Sequence, residues 1–248
     1  MTNLPKDFTP NSRVLLFHSG KPHLNSGAEP YTWVPLRQAS ESPDRFGPEL
    51  GFGNRLQELT PDRKIALIKH AQSGANLYSD WDPGKDAADQ EHFGPQFKVF
   101  VDTVERGLKG LRDKGYDPTL RGMIWQQGES DKKAAEAYGA NLAHFIGRVR
   151  EQFHAPDLVF VYGYVLPPPQ TGREREIVRK GQKDVDQDSG LPLAVKGAFV
   201  VETDDLSQRA DDPHTPLPND HNHFGTAGTL GLGRRMAEKM AAALAAPK

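Results

Sequence analysis

The chain has 248 residues, with 31 Lys+Arg against 33 Asp+Glu, nine His, no Cys and a formal charge of −2. Interspersed charge of both signs excludes the broad basic face that phosphate neutralisation requires, so no nucleic-acid partner is expected. The absence of Cys excludes a disulfide framework, a thiolate zinc site and a cysteine nucleophile. No run approaches the roughly 18 apolar residues that span a bilayer, and Met1 to Asp7 lacks the basic-then-apolar layout of a signal peptide, so no membrane partner is expected. Compartment and oligomeric state stay open, secretion of a longer form included.

The elements follow in chain order. Val14-Leu-Leu-Phe17 is a weak strand candidate, and Lys64-Ile-Ala-Leu-Ile-Lys69 is a stronger one, apolar on both faces as in a buried parallel sheet. Pro95 to Gly115 carries Phe97, Phe100, Val101, Val104, Leu108 and Leu111 at helical spacing, with Pro at the start and Gly past the end as capping favours. Gly122-Met-Ile-Trp125 is a third strand, and Ala134 to Phe153 is a second helix with Tyr138, Leu142, Phe145, Ile146 and Val149 on one face. Leu158 to Val165 and Ala198-Phe-Val-Val201 complete the strands, and an Ala-rich helix runs from Thr226 to Ala246. Strand and helix alternate, which predicts an α/β class with crossover connections and a parallel sheet covered on both faces. With no repeat, low-complexity tract or composition break, residues 1–248 read as a single domain.

Chemistry in such sheets collects in the loops after the carboxyl ends of strands. Trp125-Gln-Gln-Gly-Glu-Ser-Asp131 follows one strand, and a Gln amide held there can donate to a developing oxyanion. From spacing alone the plainer reading of the cluster is a polar turn in which Ser130 or Asp131 caps the next helix. After the Lys64–Lys69 strand, Gly74 lets a backbone N–H approach a ligand closely, or simply makes a tight turn. Near the C-terminus, Asn219-Asp-His-Asn-His-Phe-Gly225 places Asp220 three residues before His223, a spacing at which a carboxylate orients one imidazole nitrogen and frees the other for a nucleophile. His221 and His223 are alternatively a chelating pair. Asp211-Asp-Pro-His214 reads as a surface loop, and Trp81 and Tyr78 as sugar-stacking or packing residues.

Taken together, Phe46-Gly-Pro-Glu-Leu50, the Lys64–Lys69 run with Gly74, Gly122-Met-Ile-Trp-Gln-Gln-Gly-Glu-Ser130, and Asp220-x-x-His223-Phe224 with Gly228 and Leu232-Gly-Arg-Arg235 resemble the sialic-acid-specific acetylesterase family, carbohydrate esterase family six, within the SGNH hydrolase superfamily. The resemblance covers roughly residues 14–240. It implies a flavodoxin-like three-layer α/β/α domain with a central parallel sheet, hydrolysing acetyl esters on carbohydrates through a Ser-His-Asp mechanism with no metal or organic cofactor. It implies His223 as general base, Asp220 as its orienter, Gln127 and Gly74 as oxyanion donors, Glu129 as a further site residue and Asp204 as a supporting one.

The family's first block, an apolar strand followed by Gly-Gln-Ser-Asn-Met, is not found. One placement aligns Val14-Leu-Leu-Phe-His-Ser19-Gly20 with it and makes Ser19 the nucleophile. The other sets Leu4 to His18 after the missing block, so that the nucleophile serine is encoded upstream of Met1. The second fits the short interval before Trp33-Val-Pro-Leu36 better, and it predicts an in-frame upstream segment. The alternative function is a non-catalytic, carbohydrate-binding or structural relative that has lost its nucleophile.

Overall fold

The computed structural model describes residues 10–20, 29–39, 46–166, 172–213 and 217–246. Residues ahead of Pro10, the Pro167–Thr171 stretch of the predicted pocket-shaping loop, and His214 lie outside them. The chain divides into two compact units. The first comprises residues 1–71, 99–119 and 206–241; the second comprises 72–98, 120–205 and 242–248.

In the first unit, β1 (Asn11–His18), β2 (Val34–Leu36) and β3 (Ile65–Lys69) form a sheet in the order β2-β1-β3. The weak Val14–Phe17 candidate is thus the middle of a longer central strand. It pairs parallel with β3, Val14 opposite Ile65 through His18 opposite Lys69, and antiparallel with β2. The antiparallel β2 departs from the all-parallel expectation. It ends the order, where Pro35, lacking an N–H, is tolerated. β3 is only half-buried because it too has one strand partner in this sheet.

Helix α1 (Glu49–Leu59) and the long helix α5 (Thr226–Ala245) supply the layer against one face. Val14, Leu16, Leu36, Leu50 and Leu230 form its core, with Ile65 and Leu67 packed on it. Glycines set how closely the parts approach. A Cβ on Gly53 of α1 would lie 2.5 Å from Leu36; one on Gly51 would lie 2.2 Å from the Leu230 carbonyl oxygen. On α5, a Cβ on Gly233 would lie 2.1 Å from the Pro48 carbonyl oxygen. The other face meets α2 (Pro95–Asp113), where Gly107 leaves room for Ile68 and Phe17 and accepts at its carbonyl from Trp33 Nε1 at 3.1 Å.

In the second unit, β4 (Gly122–Trp125), β5 (Val159–Gly163) and β6 (Ala198–Val201) are parallel throughout in the order β4-β5-β6. β5, flanked on both sides, is buried at every residue, as its unbroken apolar run predicts. Helix α3 (Tyr138–Gln152) begins later than expected, since Lys132–Ala137 winds as a tighter 3₁₀ turn first. It packs against α4 (Arg173–Val185) where Gly139 meets Gly181, a Cβ on Gly181 falling 2.7 Å from the Gly139 nitrogen. The α/β class and the strand–helix alternation are as predicted from the sequence.

Candidate active site

In the first unit, the Asp220–His223 loop is templated by residues 207–210. Gln208 bridges Phe224 in antiparallel fashion, Arg209 N–H donates to the His223 carbonyl at 3.0 Å, and Ala210 N–H donates to the Asp220 carbonyl at 3.0 Å. Asn219 adopts φ +75°, a left-handed position that Asn tolerates better than most residues, and so turns the chain into the loop. The loop's fixed backbone brings His223 Nδ1 to 2.9 Å from Asp220 Oδ1 and 3.0 Å from Oδ2. The His223 side chain is 67% exposed, whereas that of Asp220 is 9% exposed. The carboxylate therefore holds one ring nitrogen from below while the ring stands in solvent.

Burial alone would raise the Asp220 pKa. The hydrogen bond with His223, the Asn222 N–H, and the charges of His223 and Arg209 outweigh it and hold the carboxyl below its ordinary value. Arg209 Nη1 lies 3.5 Å from Asp220 Oδ2. The chelating-pair alternative finds no support, because His221 Nδ1 faces Gln208 Oε1 at 3.0 Å instead. Asp212, expected in a surface loop, is buried. It accepts from Thr226 N–H at 2.7 Å and Thr226 Oγ1 at 2.8 Å, capping the start of α5.

Ser19 follows β1 and is 4% exposed. Its N–H donates to the Lys69 carbonyl at 3.0 Å, extending the β1–β3 ladder by one rung. Its Oγ lies 2.7 Å from His70 Nδ1. His70 was missed in the sequence because its pairing depends on strand register, not on any local motif. One residue earlier, Lys69 Nζ donates to Glu49 Oε1 at 2.7 Å and to the Ala39 carbonyl at 2.5 Å, tying β3 to the first turn of α1.

Gly74, Gln127 and Glu129 belong to the second unit. Gly74 adopts φ +71° on the surface, and a Cβ there would meet nothing within 4 Å, so its freedom of conformation rather than space is what the position uses. The expected oxyanion donor Gln127 is committed elsewhere: its Nε2 donates to the Ala75 carbonyl at 3.1 Å and to the Asp131 carboxylate, while its Oε1 accepts from Tyr138 at 3.2 Å. Both amide protons are therefore engaged within the unit. Asp131 does not cap the 3₁₀ turn with its side chain; it accepts from Leu77 N–H at 3.0 Å and so joins the Gly74 loop to the Gln127 loop. Burial pushes the Asp131 carboxyl above its ordinary value, against the hydrogen bonds from Gln127, Leu77 and Tyr78. Gln182, fully buried, donates to the Gln127 carbonyl at 3.2 Å and braces the same loop from α4.

Glu129 is half-buried beside these groups. Asp204 is paired with Arg179 at 2.8 Å. Of the two aromatics, Trp81 is a core residue, edge-on to Trp125 at 5.0 Å and to Phe145 at 6.3 Å, while Tyr78 is 36% exposed. Among the described residues the one His/Asp/Glu group close enough to share an ion is the largely exposed Asp89, Glu91 and His92.

Comparison with known proteins adds the context. Residues 1–242 match the family model described as carbohydrate esterase, sialic acid-specific acetylesterase. No curated protein matches the chain. A protein of Arabidopsis thaliana solved by X-ray crystallography is similar over 97% of this chain and 85% of its own, with 21% identity and a TM-score of 0.68. A carbohydrate acetylesterase from Xanthomonas citri is similar over 94% of this chain at 16% identity and a TM-score of 0.57; the chain spans half of that protein's length. At these identities the two structures share its fold.

Proposed function

The chain belongs to the sialic acid-specific acetylesterase family of carbohydrate esterases, and on that premise we propose that it hydrolyses acetyl esters on sugars by serine acyl transfer, in the manner of SGNH hydrolases, with His223 as the proton-transferring base and Asp220 as its orienter. The reading takes residues 1–248 as one functional domain. The single observation that carries it is the bond between His223 Nδ1 and a mostly buried Asp220 carboxylate, with the ring itself exposed. A carboxylate on Nδ1 fixes the tautomer that leaves Nε2 as the acceptor, and it stabilises the imidazolium formed when that nitrogen takes a proton.

Stabilisation of the tetrahedral oxyanion is assigned to the Gly74 backbone N–H, on an exposed turn at φ +71° where a Cβ would meet nothing within 4 Å. Gln127 serves that function by holding the Gly74 loop through Ala75 and Asp131; direct donation from its amide requires release of one of these two bonds. Glu129 and Tyr78 are assigned to the sugar side.

The test is acetate release from an O-acetylated sialic acid by the folded chain. His223→Ala is expected to lower kcat by about 100-fold or more, and Asp220→Asn by a similar order, with far smaller changes in KM. A folded wild-type chain that releases no acetate, or an H223A variant with wild-type turnover, would refute the reading.

A further inference from the structure

One residue touches both members of the Asp220–His223 pair. Arg209 follows Gln208, whose bridge to Phe224 lays this segment alongside the loop. The Arg209 backbone N–H donates to the His223 carbonyl at 3.0 Å, and its carbonyl accepts from Leu217 N–H and Asp212 N–H, each at 3.2 Å. The same residue therefore holds the chain entering the loop and the aspartate that caps α5. Its side chain, 27% exposed, reaches the carboxylate itself, with Nη1 at 3.5 Å from Asp220 Oδ2.

The two carboxylate oxygens are secured differently. Oδ1 accepts from the Asn222 N–H at 3.1 Å as well as facing His223 Nδ1, whereas Oδ2 faces His223 Nδ1 at 3.0 Å with the guanidinium beside it. The outer torsion of an Asp side chain is soft, so a carboxylate anchored through one oxygen can turn its face away from the imidazole. A cation at the second oxygen opposes that turn, and the low exposure of Asp220 strengthens the attraction. Among the described residues of the loop and its template, Asp211 is exposed, Asp212 accepts from Thr226, and His221 faces Gln208.

We propose that Arg209 is a positioning residue of the hydrolysis: its guanidinium holds the Asp220 carboxylate on His223 Nδ1, and thereby keeps the ring in the orientation and tautomer whose Nε2 accepts a proton. The inference rests on the acetylesterase reading for its reaction, but the clamp on Asp220 does not. Because the loop is templated through the Arg209 backbone, replacing the side chain removes the clamp and leaves the template in place.

The experiment measures acetate release from an O-acetylated sialic acid by the wild type, Arg209→Met, Arg209→Lys, Asp220→Asn and the R209M/D220N double variant, with circular dichroism to check folding. Carbon-13 NMR follows the Asp220 carboxyl through its titration in the wild type and both Arg209 variants. R209M is expected to lose about fivefold in kcat with KM unchanged, and R209K, which keeps the cation, to retain most of the turnover. In D220N there is no carboxylate charge to hold, so adding R209M should change kcat by less than about twofold. Burial alone would raise the Asp220 carboxyl, and the His223 and Asn222 bonds with the His223 and Arg209 charges outweigh it, so the titration midpoint should rise in R209M and return in R209K.

A folded wild type that releases no acetate overturns the esterase reading, while the titration still judges the clamp. An unmoved Asp220 midpoint in R209M, wild-type kcat in R209M, or R209K no better than R209M overturns the proposal and leaves the esterase reading intact. A loss in R209M that persists undiminished in the D220N background does the same, since it would show that Arg209 acts by another route.

Discussion

At the scale of single residues, two aspartates with opposite electrostatics do different work. Asp220 is held below its ordinary pKa, so its bonds favour the folded loop above the ordinary carboxylate value of about 3.9, and that contribution is lost as pH falls through the lower folded value. Stability of the wild type measured by urea midpoint should therefore fall on the acid side, and the fall should be shallower in D220N; identical slopes below pH about 4 would contradict the assignment. Asp131 has the reverse sign, its folded pKa being raised, so ionisation works against the fold as pH rises through that raised value. What makes Asp131 valuable is its acceptor oxygens, which serve the Leu77 N–H and the Gln127 amide in a site with no exposed surface. Asp131→Ala orphans both donors and is expected to destabilise by about 3 kcal/mol in chemical denaturation; a loss below about 1 kcal/mol would show the loop to be held by other contacts.

Elements are positioned in large part by glycine. The Gly-Pro-Glu-Leu block at residues 47–50 and the Leu-Gly-Arg-Arg block at 232–235 are distant in sequence, and they meet where Gly233 faces the Pro48 carbonyl and Gly51 faces the Leu230 carbonyl. Gly233→Ala would force a Cβ to within 2.1 Å of backbone and should destabilise by about 2 kcal/mol despite the better helix propensity of Ala. Gly147, on the exposed side of α3 with nothing within 4 Å of a Cβ, gives the opposite sign: Gly147→Ala should stabilise by roughly 1 kcal/mol. Thermal melts of the pair separate close packing from intrinsic propensity, and equal effects would refute the packing account.

Elements with a regular apolar pattern are legible in the sequence. The strands at 65–69, 122–125, 159–163 and 198–201, α2, and α5 announce themselves by apolar runs or helical period. Helix α4 does not, since Arg173 to Val185 is mostly charged and buries only Val178, Gly181, Gln182 and Val185. The Asp220–His223 pair is local and visible as a spacing. The partners of Gln127, the burial of Asp212 and the Ser19–His70 contact arise between segments many residues apart, and no local pattern encodes them.

For the whole molecule, the placement of the first strand matters most. Asn11 to His18 lies between β2 and β3 as a full strand, with Val14 and Leu16 entirely buried, so the apolar run serves as the central strand of its sheet and delivers Ser19 to its end. The same unit holds the Asp220-oriented imidazole of His223 on the loop ahead of α5. The measurement closest to the central claim is steady-state acetate release from an O-acetylated sialic acid at neutral pH by the wild type and by H223A. The account predicts turnover in the wild type and a loss of about 100-fold or more in the variant. No turnover from the folded wild type, or equal turnover from both, would contradict it.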